Sequence, residues 1–406
     1  MSSNYLCYII EIYTELWYFQ LVKGILLGIV IFGTMVWFWR WIKSLLIPRG
    51  DLYLKENKTA EGVSPLPFVS ILVPARNEEE NIRACLTSLL KQDYPDYEII
   101  VIDDRSTDRT PQILAEFSPS PNLLKIIHLS ELPSGWTGKT HALHEGSKEA
   151  RGEWFLFTDA DTIHQPWSLK TAITYSLERN LDLLSLYPQS KNPSFWEKIT
   201  QPLGGGILNI WYPFEQVNNP GYRTAFANGQ YILVKKACYS EIGGHQGVKA
   251  ELLEDVALAE KAKEKNKNIR MAYGFNLFST RMYKNFPEIW RGWRRIFKVL
   301  LGKRKSYYPI SLVLLFLLSL LPFILVFDVS LLSKGGLWTI IYLINILEIV
   351  FLYLSVGFMY RLSKNNPVWA LFHPLGCLIM VGIIVDALFR EIFKRPINWR
   401  GTNYPS

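Results

Sequence analysis

Long apolar segments stand near both ends of the chain and bracket a middle of mixed polarity. Residues 24–39 carry no charged side chain, and three further apolar stretches follow at 306–327, 337–360 and 370–385. A bilayer core accommodates a helix of about 20 mostly apolar residues, so these stretches predict membrane helices. Residues 50–287 have the turn residues and mixed charge of a water-exposed domain. The sequence therefore predicts an N-terminal membrane anchor, a folded domain and a C-terminal membrane region.

Basic residues flank these apolar segments and supply most of the formal net charge of +8. Because the stronger basic flank follows the first segment, we expect residues 50 onward to face the cytoplasm. The same position of the charge, with no small-residue cleavage site, favours a retained anchor over a signal peptide. The flanking residues are Arg40, Lys43, Arg49, Arg291, Arg294, Arg295, Lys298, Lys303, Arg304 and Lys305.

The C-terminal stretches leave two questions open. Both flanks of residues 370–385 are basic, and one crossing cannot place both on one side of a membrane, so a re-entrant or interfacial segment is an alternative to a span. Glu348 falls in the middle of the stretch at 337–360, where a charge is costly in lipid. It is either a functional carboxyl group or a protonated or helix-paired one.

Two classes of function are excluded. No basic stripe with interleaved aromatic residues crosses the middle domain, so we expect no nucleic-acid binding. The four cysteines are far apart and form no C-x-x-C pair, which fits a reducing compartment and neither a zinc site nor a disulfide framework. They are Cys7, Cys85, Cys238 and Cys377.

Short apolar runs alternate with helical patterns in the middle domain. Residues 68–74, 97–102, 125–129 and 154–158 read as buried strands, and residues 77–91 read as a helix between the first two. Alternating strands and helices form right-handed crossover units. The predicted fold class is therefore α/β, with a mainly parallel sheet and flanking helices.

Carboxylates follow two of the predicted strands. Asp103 and Asp104 end the second strand, and Asp159 and Asp161 follow the fourth. Ligands of parallel sheets bind beyond the carboxyl ends of the strands, so we expect these side chains to converge on one crevice. Asp159 and Asp161, two residues apart, are suited to hold Mg²⁺ or Mn²⁺ against a diphosphate. Asp103 or Asp104 would accept hydrogen bonds from a base or a ribose.

Two further stretches carry candidate groups. The loop from Gly135 to Lys139 offers an ammonium group for a phosphate, although its spacing is not that of a Walker loop and a plain turn is the alternative. Asp255 lies in the first turn of a predicted helix, where it either stabilises the helix dipole or takes a proton from an acceptor hydroxyl.

Residues 288–301 have an amphipathic pattern, with apolar and arginine-rich faces on opposite sides of a helix. The pattern fits a helix in the membrane interface, and an ordinary helix packed on the domain is the alternative. The predicted domains are thus 1–49 (anchor), 50–287 (catalytic domain), 288–305 (interfacial helix) and 306–406 (two or three spans).

These motifs, in this order, resemble family 2 glycosyltransferases with a GT-A fold. Within that family the chain looks most similar to hopene-associated and carotenoid glycosyltransferases, and to ceramide glucosyltransferases. The matching stretches are VPARNEEENI (73–82), VIDDRSTD (101–108), GWTGKTHAL (135–143), FTDADTIHQP (157–166), ANGQYIL (227–233) and ELLEDVALA (251–259).

The resemblance implies a role for each matched residue. The nucleotide-sugar site would consist of Pro74, Ala75, Glu78, Asp103, Asp104, Lys139, Asp159 and Gln230, with Asp159 and Asp161 on the metal. Asp255 would be the catalytic base, beside Glu254. The acceptor or interface residues would be Arg291, Arg294 and Arg295.

The resemblance also implies an activity. The chain would transfer one sugar, glucose from UDP-glucose being favoured, to a hydroxyl of a membrane lipid or terpenoid, with inversion. Arg295 stands where the Q/R-x-x-R-W signature has Trp, which argues for single transfer, and Thr402 replaces a usual Arg of the closing motif. A processive polysaccharide synthase, a polyprenyl-phosphate sugar transferase and a non-catalytic scaffold are the alternatives. The oligomeric state is not indicated.

Overall fold

The computed structural model describes residues 3–56, 65–117, 123–302, 307–328, 330, 335–399 and 402–404. The basic residues 303–305 and the side chains of the closing motif at 398–404 therefore lie outside the described part. The chain divides into two compact units. The catalytic unit comprises Pro48–Glu197 and Gly204–Ile289, and the membrane unit comprises Met1–Ile47, Lys198–Leu203 and Trp290–Ser406.

Twelve strands are present in the described residues. Their bounds are β1 Val69–Ala75, β2 Tyr97–Asp104, β3 Leu124–Leu129, β4 Trp154–Phe157, β5 Thr162–His164, β6 Leu183–Tyr187, β7 Gln189–Ser190, β8 Ile232–Lys235, β9 Ile269–Tyr273, β10 Phe278–Thr280, β11 Ile397–Trp399 and β12 Thr402–Tyr404. The four strands expected from the apolar runs are β1 to β4, each within two residues of its predicted bounds.

Helices account for most of the rest. Their bounds are α1 Ser3–Leu46, α2 Ile82–Leu89, α3 Thr110–Ala115, α4 Gly138–Glu149, α5 Ser168–Glu178, α6 Phe195–Trp211, α7 Phe214–Val217, α8 Lys236–Glu241, α9 Glu254–Glu264, α10 Phe286–Gly302, α11 Tyr307–Ser319, α12 Leu321–Phe327, α13 Leu337–Leu362 and α14 His373–Ile392. A 3-10 turn, Pro367–Phe372, precedes α14.

A seven-stranded sheet organises the catalytic unit. Its order is β3-β2-β1-β4-β8-β6-β9, and β8 alone among these strands runs antiparallel to both of its neighbours. Strands β1, β2 and β4 are almost wholly buried, because helices cover both faces of such a sheet. A smaller sheet pairs β10 with β5 and β7. The predicted α/β class, a mainly parallel GT-A-type sheet with apolar helices before and after it in the chain, is confirmed.

One predicted helix is shorter than expected. The pattern predicted a helix over 77–91, whereas α2 covers Ile82–Leu89. Asn77 has a φ of 55°, a left-handed conformation that a right-handed helix cannot include. The intervening residues form a loop at the end of β1, which positions them near the carboxyl edge of the sheet.

Within its described residues, the membrane unit contains four helical segments long and apolar enough to cross a bilayer. They are Gln20–Leu46, Tyr308–Phe327, Leu337–Leu362 and Pro367–Ile392. The first lies in a helix of 44 residues, so the uncharged run at 24–39 is extended at both ends into a segment long enough for a span. The second is broken at Leu320, between α11 and α12, because Pro322 cannot continue a helix from the preceding turn.

Helix α10 is amphipathic, as the sequence predicted, but its apolar face is not bare. Trp293, Ile296 and Leu300 are buried by protein. The Trp293 indole Nε1 donates a hydrogen bond to Gln201 Oε1 at 3.0 Å. This face is therefore covered by protein, and Gln201, which contacts it, belongs to the membrane unit.

Candidate active site

The carboxyl ends of three neighbouring strands align at one edge of the sheet. Ala75 of β1 is paired with Asp103 of β2, which is paired with His128 of β3. Asp103 accepts a hydrogen bond from the backbone N–H of Ser106 at 3.2 Å, and its Oδ2 lies 2.9 Å from His128 Nδ1. Sequence reasoning missed His128, although it falls within the predicted third strand, where register alone would have placed it beside Asp103.

Asp104 is buried and compensated by arginine. Its carboxylate accepts hydrogen bonds from Arg105 Nε at 2.7 Å and Nη2 at 3.1 Å, and Arg76 Nη1 lies 3.8 Å away. Gly138, the first residue of α4, packs directly against Asp104 Oδ2, so a side chain at this position would collide with the carboxylate. Asp104 therefore lies next to the N-terminus of α4.

The loop after β1 is fixed by hydrogen bonds to the first residue of α3 and to the residue that precedes α2. The backbone N–H of Glu78 donates to Thr110 Oγ1 at 2.8 Å, and the Glu78 carboxylate accepts from Asn81 Nδ2 at 2.8 Å. Glu78 is buried, Ala75 is buried and Pro74 is half-buried. The three residues expected to border a nucleotide thus lie at the same strand end as Asp103.

Lys139 lies at the centre of the carboxylate cluster. Helix α4 begins with a capping box between Thr137 and Thr140, which places Lys139 in its first turn. The ammonium Nζ is 2.6 Å from Asp159 Oδ1 and 2.8 Å from Glu254 Oε1. Burial opposes a charge here, but the neighbouring carboxylates outweigh it and raise the pKa of Lys139 well above its usual range.

The residue expected to act as base, Asp255, lies in the first turn of α9. Its Oδ2 accepts from the backbone N–H of Gly229 and its Oδ1 from that of Val256, both at 2.8 Å. Burial, followed by the negative charge of Glu254, raises the pKa of Asp255 to about 6. A carboxyl group with this pKa is ionised near neutral pH and can still accept a proton, which is the property of a general base.

Gly229 completes the cluster, and sequence reasoning did not single it out. A Cβ built on it would lie 2.9 Å from Lys139 Nζ, 3.1 Å from Asp255 Oδ2 and 3.3 Å from Glu254 Oε1. Glycine is therefore needed for the backbone to approach all three groups. The matched stretch ANGQYIL includes this glycine, but the resemblance gave a role to Gln230 alone.

Asp159 and Asp161 flank the buried Ala160 just beyond β4, and both side chains are half-exposed. Across the sheet Phe157 pairs with Leu72, so Asp159 is level with the ends of β1 and β2. No group of three or more His, Cys, Asp or Glu side chains in the described ranges is arranged to hold a metal. Two accessible carboxylates nevertheless fit Mg²⁺ or Mn²⁺, because such ions take much of their coordination from water and substrate phosphates.

Gln230 follows Gly229 in the chain, and its side chain contacts Thr280. Its side-chain Nε2 donates to Thr280 Oγ1 at 3.1 Å, and its backbone carbonyl accepts from Thr158 Oγ1 at 2.8 Å. The side chain is buried, and Oε1 has no hydrogen-bond partner among the residues described. Gln230 lies between Gly229 and β8 in the chain, so its hydrogen bonds help to fix the position of Gly229 in the cluster.

The three arginines expected on the acceptor side lie on α10. Arg291 is exposed, whereas Arg294 and Arg295 are half-buried. Arg294 Nη1 donates to Asp386 Oδ2 of α14 at 3.0 Å. At least Arg294 therefore contributes to the packing of α10 against α14.

Comparison with known proteins identifies the family of the domain. Residues 70–243 match the model described as glycosyl transferase family 2. The 4,4'-diaponeurosporenoate glycosyltransferase of Staphylococcus aureus (strain USA300) is 25% identical over 345 residues, covering 83% of this chain and 88% of that protein. The enzyme of the same name from the bovine strain RF122 / ET3-1 is 25% identical over 343 residues, with the same coverage.

Solved structures with similarity to the chain include two complexes with nucleotide sugars. Mannosyltransferase PcManGT from Pyrobaculum calidifontis, in complex with GDP-Man and Mn²⁺, is 15% identical, covers 92% of this chain and 99% of its own, and has a TM-score of 0.49. S. aureus TarS 1–349 in complex with UDP-GlcNAc is 18% identical, with coverages of 83% and 96% and a TM-score of 0.38. From the family match, residues 70–243 form a family 2 glycosyltransferase domain, and the protein is a glycosyltransferase.

Proposed function

We propose that this enzyme transfers a single sugar from a nucleoside diphosphate sugar, UDP-glucose being favoured, to a hydroxyl of a membrane lipid or terpenoid. The observation that carries the proposal is the cluster in which Lys139 bridges Asp159 and Glu254 beside Asp255. It lies at the carboxyl edge of a parallel sheet, where such folds bind nucleotides. Asp103 and Asp104, at the neighbouring strand end, are the proposed contacts of base and ribose.

The geometry of Asp255 supports a single displacement. Its carboxylate is held by two backbone N–H groups, which fix its orientation without neutralising it. In the proposed step it takes the proton of the acceptor hydroxyl, whose oxygen bonds to the anomeric carbon as the bond to the diphosphate oxygen breaks. The nucleoside diphosphate leaves, and attack from the opposite side inverts the configuration.

Lys139 supplies positive charge where the diphosphate accumulates negative charge. Its raised pKa keeps it protonated throughout the working pH range of an enzyme. Asp159 and Asp161 are the proposed holders of Mg²⁺ or Mn²⁺, which when bound neutralises charge on the leaving diphosphate.

The acceptor class rests on two observations. The relative from S. aureus is named for a diaponeurosporenoate, and we extend an acceptor of terpenoid type to this chain. The described residues include four apolar helices of membrane-spanning length, which suits an acceptor dissolved in lipid. We further propose that the catalytic domain faces the cytoplasm, where nucleotide sugars are made, because the flank after the first apolar helix is basic.

The proposal is tested with membranes from cells that express the chain and contain a carotenoid or hopanoid acceptor. They are incubated with radiolabelled UDP-glucose and Mg²⁺, with or without EDTA, and label is followed into the organic-solvent extract. We expect metal-dependent label in one lipid product whose mass exceeds that of its acceptor by one hexose. Label only in insoluble polymer would replace this proposal with a processive synthase.

The matched variants are Asp255→Asn and Asp93→Asn. Loss of the base lowers transfer by on the order of 10²–10⁴-fold, while binding of UDP is retained. Asp93 is an exposed carboxylate outside the cluster, and its variant is expected to keep full activity. Normal transfer by Asp255→Asn would refute the assignment of the base, and transfer that resists EDTA would refute the metal role of Asp159 and Asp161.

A further inference from the structure

The direction of α13 relative to α1 fixes which ends of the membrane helices share a side. Lys23 of α1 lies over the Trp338 ring at 5.5 Å, and the rings of Phe38 and Phe351 are 5.0 Å apart. Contacts therefore advance along both helices together, and the two run in the same direction. The C-terminal ends of α1 and α13 lie on one side, from which the chain continues at Pro48 into the catalytic unit.

The beginning of α14 is tied to that same side. Tyr360, near the end of α13, donates a hydrogen bond from its Oη to the Lys198 carbonyl at 2.7 Å. Gly376, in the first turn of α14, packs directly against the Ile199 carbonyl. The rings of Trp37 and His373 lie edge to face, 5.9 Å apart. Residues 198–203 are reached from the catalytic unit without an intervening span.

The end of α14 is tied to α10, which also follows the catalytic unit without a span. Trp290 Nε1 and Arg294 Nη1 donate to Asp386 Oδ2 at 2.8 and 3.0 Å. Further along both helices, Lys298 Nζ donates to the Arg395 carbonyl at 2.6 Å. The two helices thus run side by side in the same direction.

Helix α10 cannot lie in the bilayer core. It carries four basic residues within eight positions, and each arginine or lysine at the bilayer centre costs about 2.5–3.5 kcal/mol or more. They are Arg291, Arg294, Arg295 and Lys298. A helix paired with α10 along its length therefore lies at the same depth, at the membrane surface.

We infer that α14 does not cross the membrane but lies along the face on the catalytic side, which leaves the C-terminus on that side too. Its 20 residues are long enough for a span, but both ends contact elements of one side. The surface that α14 offers to the acyl chains is apolar and exposed, and consists of Leu375, Leu378, Phe389 and Ile392. Leu371 and Phe372 before the helix and Phe393 after it are exposed as well. One exposed apolar side and one side bound to a basic helix are typical of an interfacial element.

The charges at the flanks agree with this position. Arg361 and Lys364 precede the segment, and Arg390, Lys394 and Arg395 end it. An interfacial α14 places all five on the side of Arg40 and the basic residues of α10, as the positive-inside rule requires. If α14 crossed the membrane, the last three would lie on the opposite side of it. The described residues then include three spans, formed by α1, by α11 with α12, and by α13.

The test is the sidedness of single cysteines in the full-length protein. Cys7 is replaced by Ser, and the buried Cys85, Cys238 and Cys377 are kept. Onto this parent we place Arg395→Cys at the end of α14, Ser240→Cys in the catalytic unit or Ser330→Cys between α12 and α13. All three positions are exposed. Sealed vesicles of each orientation are treated with a membrane-impermeant maleimide, and labelling is normalised to the level reached in detergent.

We expect Arg395→Cys and Ser240→Cys to be labelled several-fold more in vesicles of one orientation than in those of the other. Ser330→Cys should show the reverse preference. Labelling of Arg395→Cys together with Ser330→Cys would overturn the inference. A C-terminal epitope exposed to protease gives an independent reading, and it should be digested in the vesicles that label Ser240→Cys. Neither measurement depends on sugar transfer, so the topology and the proposed function can fail separately.

Discussion

The Asp255 carboxylate accepts two backbone hydrogen bonds. It is also influenced by two charged neighbours, the carboxylate of Glu254 and the ammonium group of Lys139. Burial and Glu254 raise its pKa to about 6, and Lys139 opposes them. Only the ionised form accepts a proton, so transfer should rise with pH through about 6 and level off above it. A profile of kcat/KM between about pH 5 and pH 8 measures this acid limb.

Substitution of two neighbouring charged residues should shift the midpoint of this pH profile in opposite directions. Glu254→Gln removes a charge that raises the pKa of Asp255, so the midpoint shifts to lower pH. Lys139→Met removes a charge that lowers this pKa, so the midpoint shifts to higher pH and the maximal rate also falls. Shifts of the same sign in both variants, or none in either, would show that Asp255 is not the titrating base.

The close packing around Gly229 leads to a prediction that depends only on steric fit. A Cβ at 2.9 Å from Lys139 Nζ displaces the ammonium or the Asp255 carboxylate. Misplacement of catalytic groups by about 1 Å can cost on the order of 10²-fold, so Gly229→Ala should lower kcat by one to two orders of magnitude.

Gly206→Ala is the matched control for this variant. Gly206 lies in α6, and no atom of another described element is within 4 Å of the position of an added Cβ, so its variant should retain activity. The rates are compared at equal amounts of folded protein in membranes. Equal activity in the two variants would mean that the cluster tolerates a side chain at Gly229.

Residues at strand ends were predictable, whereas their partners were not. Asp103, Asp104, Asp159 and Asp161 could be assigned to one edge because the first two end a buried strand and the other two follow one. The bridge from Lys139 to Glu254 joins residues far apart in the sequence, and no local pattern encodes such a pairing. The closeness of Gly229 to both likewise depends on how β8 and α9 pack, which periodicity does not specify.

At the scale of whole elements, type was predictable and the bounds were less so. Apolar runs placed β1 to β4 within two residues, because buried parallel strands have continuous apolar sequences. The start of α2 was missed because a single left-handed residue, Asn77, ends helical geometry without a change in hydrophobicity. The break before α12 was missed although Pro322 marks it, because an unbroken apolar run hides the turn.

Helix contacts in the membrane unit make a prediction about stability. A Cβ on Gly376 would run into the Ile199 carbonyl, a backbone atom that cannot rotate away. Overpacking of this kind costs about 1–3 kcal/mol, so Gly376→Ala should lower the thermal unfolding temperature in detergent.

The control for this variant is Gly357→Ala in α13. In the part of the chain that the structure describes, the added Cβ would meet Pro367 Cβ at 3.8 Å, an ordinary contact, and no other atom of a neighbouring element within 4 Å. Alanine there should be neutral or stabilise by about 0.5–1 kcal/mol, because glycine is a weaker helix former. Equal unfolding temperatures for the two variants would contradict the close approach of α14 to residues 198–203.

At the scale of the whole molecule, the sequence separated the parts that face water from those that face lipid. Uneven apolar composition distinguishes them, since a bilayer and an aqueous domain demand different surfaces. It could not reveal that residues 198–203, within α6, belong to the membrane unit, because nothing in their composition differs from the catalytic domain. Their assignment depends on contacts with α13 and α14.

An enzyme held in a bilayer meets a lipid-soluble acceptor by diffusion within the membrane and meets its donor from water. In mixed micelles or liposomes, the initial rate should therefore follow the mole fraction of acceptor in the lipid phase. Adding inert lipid at a constant total amount of acceptor should lower the rate in proportion, below saturation. The KM for the nucleotide sugar should stay constant, because the donor remains in the aqueous phase. A rate that follows the bulk concentration of acceptor instead would mean that the acceptor binds from water.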